Sequence, residues 1–479
     1  MTVRNIIDNQ PVAPSGKGTY RAVNPSDLSD IIVDYALSSA GDVDKAVAAA
    51  NRVASAWAAE TPIARGEVLR KAAALLRERV EEIALVASRE VGKPIEEARG
   101  EALYSARVWE FYAGEGTRLT GDNLPSGRPG VVAYTMRKPL GSVGQITPWN
   151  FPMSIPAWKI GPALITGNTI VWKPCLQAPF TSLAIAQALI DAGLPAGVLN
   201  LVHGDGFDVG QAIVDHPGLA GISFTGSQKV GFAVYQAASA RRAKVQCELG
   251  GKNPLVVLDD ANLDLAVTTA IEGAFRNAGQ KCTATSRIIV QKGIKDAFTK
   301  AFVERTKALT VGDARDPKTF IGPVVDAKQY EKIRGHIKAG QDEGAILLAG
   351  GDVGHNGSGY FVAPTIFDNV KPDARIAKEE IFGPVVALFT VADLDEAIDL
   401  ANDTEHGLSS SICTASLSSA HQFLNRAQAG VTSVNLPTAG VELHAPFGGS
   451  KSSGLGVKEQ GRPVLDFYTE LRTSYLKVA

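Results

Sequence analysis

Cysteine is scarce in this chain of 479 residues: there are four, at 175, 247, 282 and 413, with no C-x-x-C pair among them. That spacing excludes a disulfide framework and a thiolate metal site. Seven histidines are scattered without paired ligand spacing, so no metal is expected. Charge of one sign is lacking too, with 48 Lys+Arg against 50 Asp+Glu and no basic block, which argues against nucleic acid as a partner. No apolar run is long enough to span a bilayer, and "MTVRNIIDNQPVAPSGKGTY" lacks the apolar core of a signal peptide. Free thiols without a leader point to a reducing cytoplasm. There is no internal repeat and no low-complexity linker.

What is present is an ordinary globular composition, 45% hydrophobic and 20% charged, in a chain long enough for several domains. The first third reads as helices. "GDVDKAVAAANRVASAWAAE" has Asp42 as its expected N-cap, and "TPIARGEVLRKAAALLRERVEEIALVASREVGKP" opens with Thr61 and Pro62 and stops at Gly92. A third helix is expected over roughly 95–114. From about 140, short apolar runs ("SVGQIT", "NTIVWK", "GVLNLV", "AGISFT", "AKVQCEL") alternate with helical stretches, the pattern of a parallel, doubly wound sheet. A second alternating region covers 251–445, and the segments 130–138 and 464–477 read as exposed strands whose edges need cover.

Several strand ends carry candidate chemistry. "SFTGSQKVG" puts Gly226 and Ser227 between a strand and a helix, where free N–H groups can receive a phosphate. "VWKP" ends a strand with Lys173, suited to a nucleotide ribose or phosphate. Asn150 in "TPWNFP" can serve as a fixed amide donor for an oxyanion. Glu248 in "CELGGKNP" can serve as a general base. "GQKCTATSR" sets Cys282 among small and polar residues, with Lys281 beside it as a charge that favours thiolate. Each also has a plain structural reading: a solvated lysine, a turn-forming Asn, an idle Glu, a small buried thiol.

Taken in order, "TPWNFP", "VWKP", "SFTGS", "ELGGKNP", "GQKCTATSR", "EEIFGP", "VNLPTAG" and "APFGGSKSSG" make the chain resemble the aldehyde dehydrogenase superfamily over essentially its whole length. The resemblance implies an α/β protein: a Rossmann-like, doubly wound cofactor domain (1–125 and 140–250), a second α/β catalytic domain (251–450) and a small β oligomerisation arm (126–139 and 460–479). It implies Cys282 as nucleophile, Glu248 as the base that activates water, and Asn150 as oxyanion donor. Trp149, Lys173, Gly226, Ser227, Leu249, Glu380 and Phe382 match cofactor positions. Tyr104, Arg107, Ile155, Trp158, Lys281, Thr283, His444 and Phe447 are the pocket candidates, with Arg107, Lys281 and His444 as cations for a distal carboxylate. A homodimer or homotetramer is implied.

The cofactor is NAD or NADP. Family members that prefer NAD usually carry Glu three residues after the motif lysine, and here that residue is Leu176. NADP acceptance follows, with Lys229 as a further source of attraction. The stretch "VNLPTAGVELHAPFGG" most resembles dehydrogenases of α-ketoglutarate semialdehyde (2,5-dioxopentanoate); succinate semialdehyde and aromatic aldehydes are the alternative substrates. Thiol esterase and CoA-acylating activity are the alternative classes. The esterase lacks a motif-placed His, and Glu248 argues against the CoA enzyme. Cys247 reads as a small buried residue, with a redox partnership to Cys282 as its alternative.

Overall fold

A computed structural model describes residues 2–351 and 358–477. Its two large sheets meet end to end, and the site lies between them.

The first sheet contains five parallel strands in the order Leu199–Leu201, Thr169–Lys173, Ser142–Ile146, Gly221–Thr225, Lys244–Glu248. Four of these strands are buried throughout and the fifth is buried from Val245 onward, so they read as continuous apolar runs. An antiparallel hairpin (Asn5–Ile7, Gln10–Val12) closes one edge and Gly454–Leu455 the other. The order reverses beside Ser142–Ile146, and such a switch point opens a crevice at the strands' carboxyl ends.

The second sheet orders its strands Ile346–Ala349, Thr365–Asp368, Val385–Val391, Thr285–Gln291, Asn253–Val257, Ser409–Cys413, Val431–Val434, all parallel except the first. Only four residues, 249–252, separate the last parallel strand of one sheet from a central strand of the other. The carboxyl edge of the first sheet therefore faces the amino edge of the second. A third sheet pairs Val131–Pro139 with Thr469–Lys477 and leaves Val132, Leu471, Tyr475 and Leu476 exposed.

The helices differ from the sequence expectation in three places. The first begins at Ala40 with Ser39 as N-cap; Asp42 instead sits inside the first turn, accepting the N–H groups of Ser39 (3.1 Å) and Ser15 (2.8 Å). The long second stretch breaks at Arg79 into Pro62–Glu78 and Val80–Val91, then ends on left-handed Gly92. The tail folds first into a short helix, Leu465–Tyr468, before its strand begins. Helix Ile95–Glu115 packs on Ser154–Ile165: Trp109 Nε1 donates to the Ala157 carbonyl at 3.2 Å, and a Cβ at Gly161 would lie 2.7 Å from the Tyr112 ring. That close approach fixes the wall from which Tyr104 projects. No described helix is long and apolar enough to cross a membrane.

Candidate active site

Cys282 precedes the strand Thr285–Gln291 by three residues, at the amino edge of the second sheet. It is half-buried and borders two cavities. One, of about 410 Å³, is walled by Tyr104, Phe151, Trp158, Thr283, Val441 and Phe447, with Arg276 and Lys281 as its cations. The other, of about 460 Å³, is walled by Trp149, Asn150, Ile155, Gly226, Ser227, Leu249, Glu380 and Phe382. A thiol at the meeting point of two cavities has room for one molecule on each side.

The loop that presents Cys282 is strained. Asn277, Ala278 and Gly279 hold φ values of 54°, 53° and 68°, and each non-glycine in that region costs about 1–2 kcal/mol. Gly279 is required by space as well, since a Cβ there would lie 2.2 Å from the Gly383 carbonyl oxygen. The strain is offset by fixed partners. Glu97 accepts the Asn277 N–H at 2.8 Å, and Gln280 Oε1 accepts the Val325 N–H at 3.0 Å. Asn253 Nδ2 donates to the carbonyls of Cys282 (2.8 Å) and Ala284 (3.0 Å). The Asn150 amide donates one hydrogen to the Gln280 carbonyl at 3.0 Å, which leaves the other for a ligand of the cavity it borders.

Burial pushes the Cys282 thiol well above its usual range, and the charges of Glu248 and Glu380 push it the same way; the N–H groups of Thr283 and Cys282 oppose them. Lys281 does not act as a free charge beside it, because its ammonium is paired with Glu97 at 3.1 Å. Glu248 ends the strand Lys244–Glu248, buried, and borders neither cavity. Its Oε1 has no hydrogen-bond partner among the described residues, and Oε2 packs near Gly448. Burial, then the nearby Glu459, raise this carboxyl well above the carboxylate range, while Lys159, the Gly449 N–H and Lys458 oppose the shift. Lys159 and Glu459 form a buried ion pair, and Lys159 also donates to Ser223 Oγ at 2.8 Å. A carboxyl with a raised pKa beside a buried pair is suited to taking a proton from water.

The second cavity fits a nicotinamide dinucleotide. Gly226 and Ser227 sit at the start of helix Gln228–Ala240, and a Cβ on Gly226 would meet the Phe224 ring at 2.6 Å, so only glycine leaves that turn open. Glu380 Oε1 accepts the Gly251 N–H at 2.9 Å, while a Cβ at Gly250 would intrude to 2.3 Å from the same carboxylate. Phe382, at φ 61°, is held by Gln329 through its carbonyl (2.7 Å) and by an edge-on contact with Trp149 at 5.4 Å.

The structure separates the other candidates. Tyr104, Trp158, Lys281, Thr283 and Phe447 border the first cavity, but Ile155 borders the second. Arg107 and His444 are exposed and border neither. Lys173 is buried at its strand end, outside the cavity wall, and donates to the Pro174 carbonyl at 3.3 Å. Lys229 is exposed and lines a groove with Lys378 and Asp403 that shares Ser227 and Glu380 with the second cavity. Cys247 is buried, its thiol donating to the Gly231 carbonyl at 3.6 Å. Arg276, Glu97, Asn253, Lys159 and Glu459 were not singled out from the sequence. Asn253 alone had a signal there, lying in the same "ELGGKNP" segment as Glu248.

Residues 12–474 match the model of the aldehyde dehydrogenase family. The chain belongs to that family. Among curated relatives, an alpha-ketoglutaric semialdehyde dehydrogenase of Bacillus subtilis (strain 168) is 46% identical over 99% of this chain and 98% of its own length. Among solved structures, an NAD-dependent aldehyde dehydrogenase of Sinorhizobium meliloti superposes with a TM-score of 0.97 at 36% identity, covering 100% of this chain and 95% of the other. An E. coli NADP dependent enzyme does so with 0.96 at 35% identity, covering 100% and 98%. The protein is an NAD(P)-dependent aldehyde dehydrogenase with an α/β fold.

Proposed function

We propose that this aldehyde dehydrogenase oxidises a semialdehyde with a distal carboxylate, of the α-ketoglutarate semialdehyde type, to the corresponding acid. The observation that carries the reading is Cys282 at the junction of the two cavities. The aldehyde enters beside Tyr104, Trp158 and Phe447. Cys282 Sγ, its proton passed to solvent water, bonds to the carbonyl carbon as the C=O π pair moves onto oxygen, and the resulting oxyanion is held by the Asn150 amide and the Cys282 N–H. A bound nicotinamide would supply the acceptor for the hydride lost from this carbon. The thioester on Cys282 is then opened by water whose proton passes to Glu248; the C–S bond breaks, the acid is released, and Glu248 returns the proton to the departing sulfur. Trp149 and Phe382 would pack the nicotinamide side, Glu380 would hold the ribose next to it, and Gly226 and Ser227 would receive the pyrophosphate.

Arg276 favours a carboxylated substrate. It borders the aldehyde cavity, paired with Glu272 at 2.8 Å and stacked over Phe320 at 4.0 Å. A guanidinium held this way can exchange part of its pairing for an incoming carboxylate. The B. subtilis relative's printed activity supports the same substrate class. Leu176 leaves the adenosine ribose without the usual carboxylate, so both NAD and NADP are accepted. The exposed apolar face of the Val131–Pro139 and Thr469–Lys477 sheet serves homodimer or homotetramer assembly.

The test is reduced-nicotinamide absorbance with α-ketoglutarate semialdehyde, succinate semialdehyde, an aliphatic aldehyde and benzaldehyde. A tenfold or greater advantage in kcat/KM for the dicarboxylic semialdehydes, lost in Arg276→Met, is the expected result. Benzaldehyde as the best substrate refutes the substrate class.

A further inference from the structure

The position three residues after Lys173 lacks a carboxylate, but the structure carries one near Lys173 on the loop that follows the neighbouring strand. Thr169–Lys173 and Leu199–Leu201 are adjacent and parallel, with Trp172 opposite Leu201 and the Val202 N–H donating to the Trp172 carbonyl at 2.9 Å. The chain after residue 202 therefore leaves the sheet beside Lys173. It runs through buried Val202, His203 and Gly204 to Asp205, then into the turn Gly206–Gly210. The lysine stem packs on that turn: a Cβ at Gly210 would lie 3.8 Å from Lys173 Cδ and Cε. Asp205 closes the same turn at its other end, Oδ1 accepting the Asp208 N–H at 2.7 Å and its carbonyl accepting the Gly210 N–H at 3.0 Å. One carboxylate oxygen is thus pinned, and Asp205 is half-exposed rather than buried. Among the described residues Lys173 has no carboxylate hydrogen bond, and Asp205 is the carboxylate whose charge acts on it.

We propose that Asp205 sets the preference between NAD and NADP, by engaging the adenosine ribose hydroxyls and repelling a 2′-phosphate from the Lys173 corner of the site. The proposal rests on the cofactor reading given above, in which Lys173 marks the adenosine ribose. The physics is the ordinary one for dinucleotide sites: a carboxylate accepts hydrogen bonds from the 2′-hydroxyl and is incompatible with a phosphate in the same place. What differs is its origin, from the loop after Leu199–Leu201 instead of from position 176. Leu176 admits NADP, and Asp205 keeps NAD the better ligand.

Asp205→Asn separates charge from structure, because Asn keeps the side-chain oxygen that caps the turn and is as good a cap as Asp. Asp208→Asn, an equal charge change at an exposed position in the same turn, controls for the general field. Dissociation constants for NAD, NADP, 5′-AMP and 2′,5′-ADP are measured by calorimetry on the purified full-length chain, without turnover. In the wild type NAD binds more tightly than NADP, and 5′-AMP more tightly than 2′,5′-ADP. Asp205→Asn narrows both ratios about tenfold, and Asp208→Asn leaves them within twofold. Unchanged ratios in Asp205→Asn, or an equal shift in Asp208→Asn, overturn the proposal. If the wild-type chain binds none of the four ligands, the cofactor reading falls, and this proposal falls with it. Normal NAD binding with an unchanged ratio in Asp205→Asn overturns the proposal alone.

Discussion

Glu97 holds Lys281 at 3.1 Å with one oxygen and accepts the Asn277 N–H at 2.8 Å with the other. One carboxylate, carried on helix Ile95–Glu115, thereby clamps both ends of the left-handed turn that leads to Cys282. Removing it in Glu97→Ala releases a turn that is costly to hold, and kcat/KM falls about tenfold to a hundredfold, the scale of an ångström-sized misplacement. Glu97→Gln keeps an acceptor for Asn277 and loses only the ion pair, so its loss is the smaller of the two. Steady-state kinetics on the two variants checks this, and equal losses would show that the ion pair alone matters.

Gly279→Ala places a side chain at φ 68° and a Cβ 2.2 Å from the Gly383 carbonyl oxygen. The backbone alone contributes about 1–2 kcal/mol of destabilisation, and the clash adds to it. Chemical denaturation reads the loss, together with reduced reactivity of Cys282 toward a thiol-directed alkylating agent.

Asn150→Ala removes one oxyanion donor and the bond to the Gln280 carbonyl. A fall in kcat of about a hundredfold to a thousandfold is expected, with a far smaller change in NAD affinity. Parallel measurement of turnover and of the NAD dissociation constant distinguishes a lost donor from a collapsed site.

The raised pKa values of Glu248 and Cys282 make the activity rise with pH. Below its raised value Glu248 is neutral and cannot take a proton from water, so steady-state turnover falls as pH drops through that value. The thiol follows the same sign, because its nucleophilic form appears only as pH rises. Glu248→Gln separates the two in stopped flow. One equivalent of reduced cofactor still forms, at a rate that rises with pH, and the following turnover falls about a hundredfold to ten-thousandfold. A variant that retains the wild-type steady-state rate would remove Glu248 from hydrolysis.

The alternation of buried strands and helices was legible in the chain because continuous apolar runs leave a parallel sheet few other readings, and the strand bounds fall within a residue or two of those runs. The turn glycines, Cys282, Glu248 and Asn150 stood out as candidates because local chemistry carries the signal: a short motif at a strand end. Asp42 and Arg79 show where local reading stops. Ser39 and Asp42 are both competent caps three residues apart, and the choice depends on Ser15, which is distant in sequence. Nothing at Arg79 itself breaks a helical pattern.

By itself, the sequence determined the class of fold and the family, because both depend on motifs and apolar runs made of residues close together in the chain. Only the tertiary structure decided which charges surround them. Arg276 reaches the aldehyde cavity while Arg107 and His444 stay at the surface; Lys281 is neutralised by Glu97, 184 positions earlier in the numbering. The pairing of neighbouring strands carries the loop of Asp205 off the sheet beside Lys173, where its charge acts on the ammonium. A Coulomb interaction depends on distance in space and on burial, and neither is set by spacing along the chain.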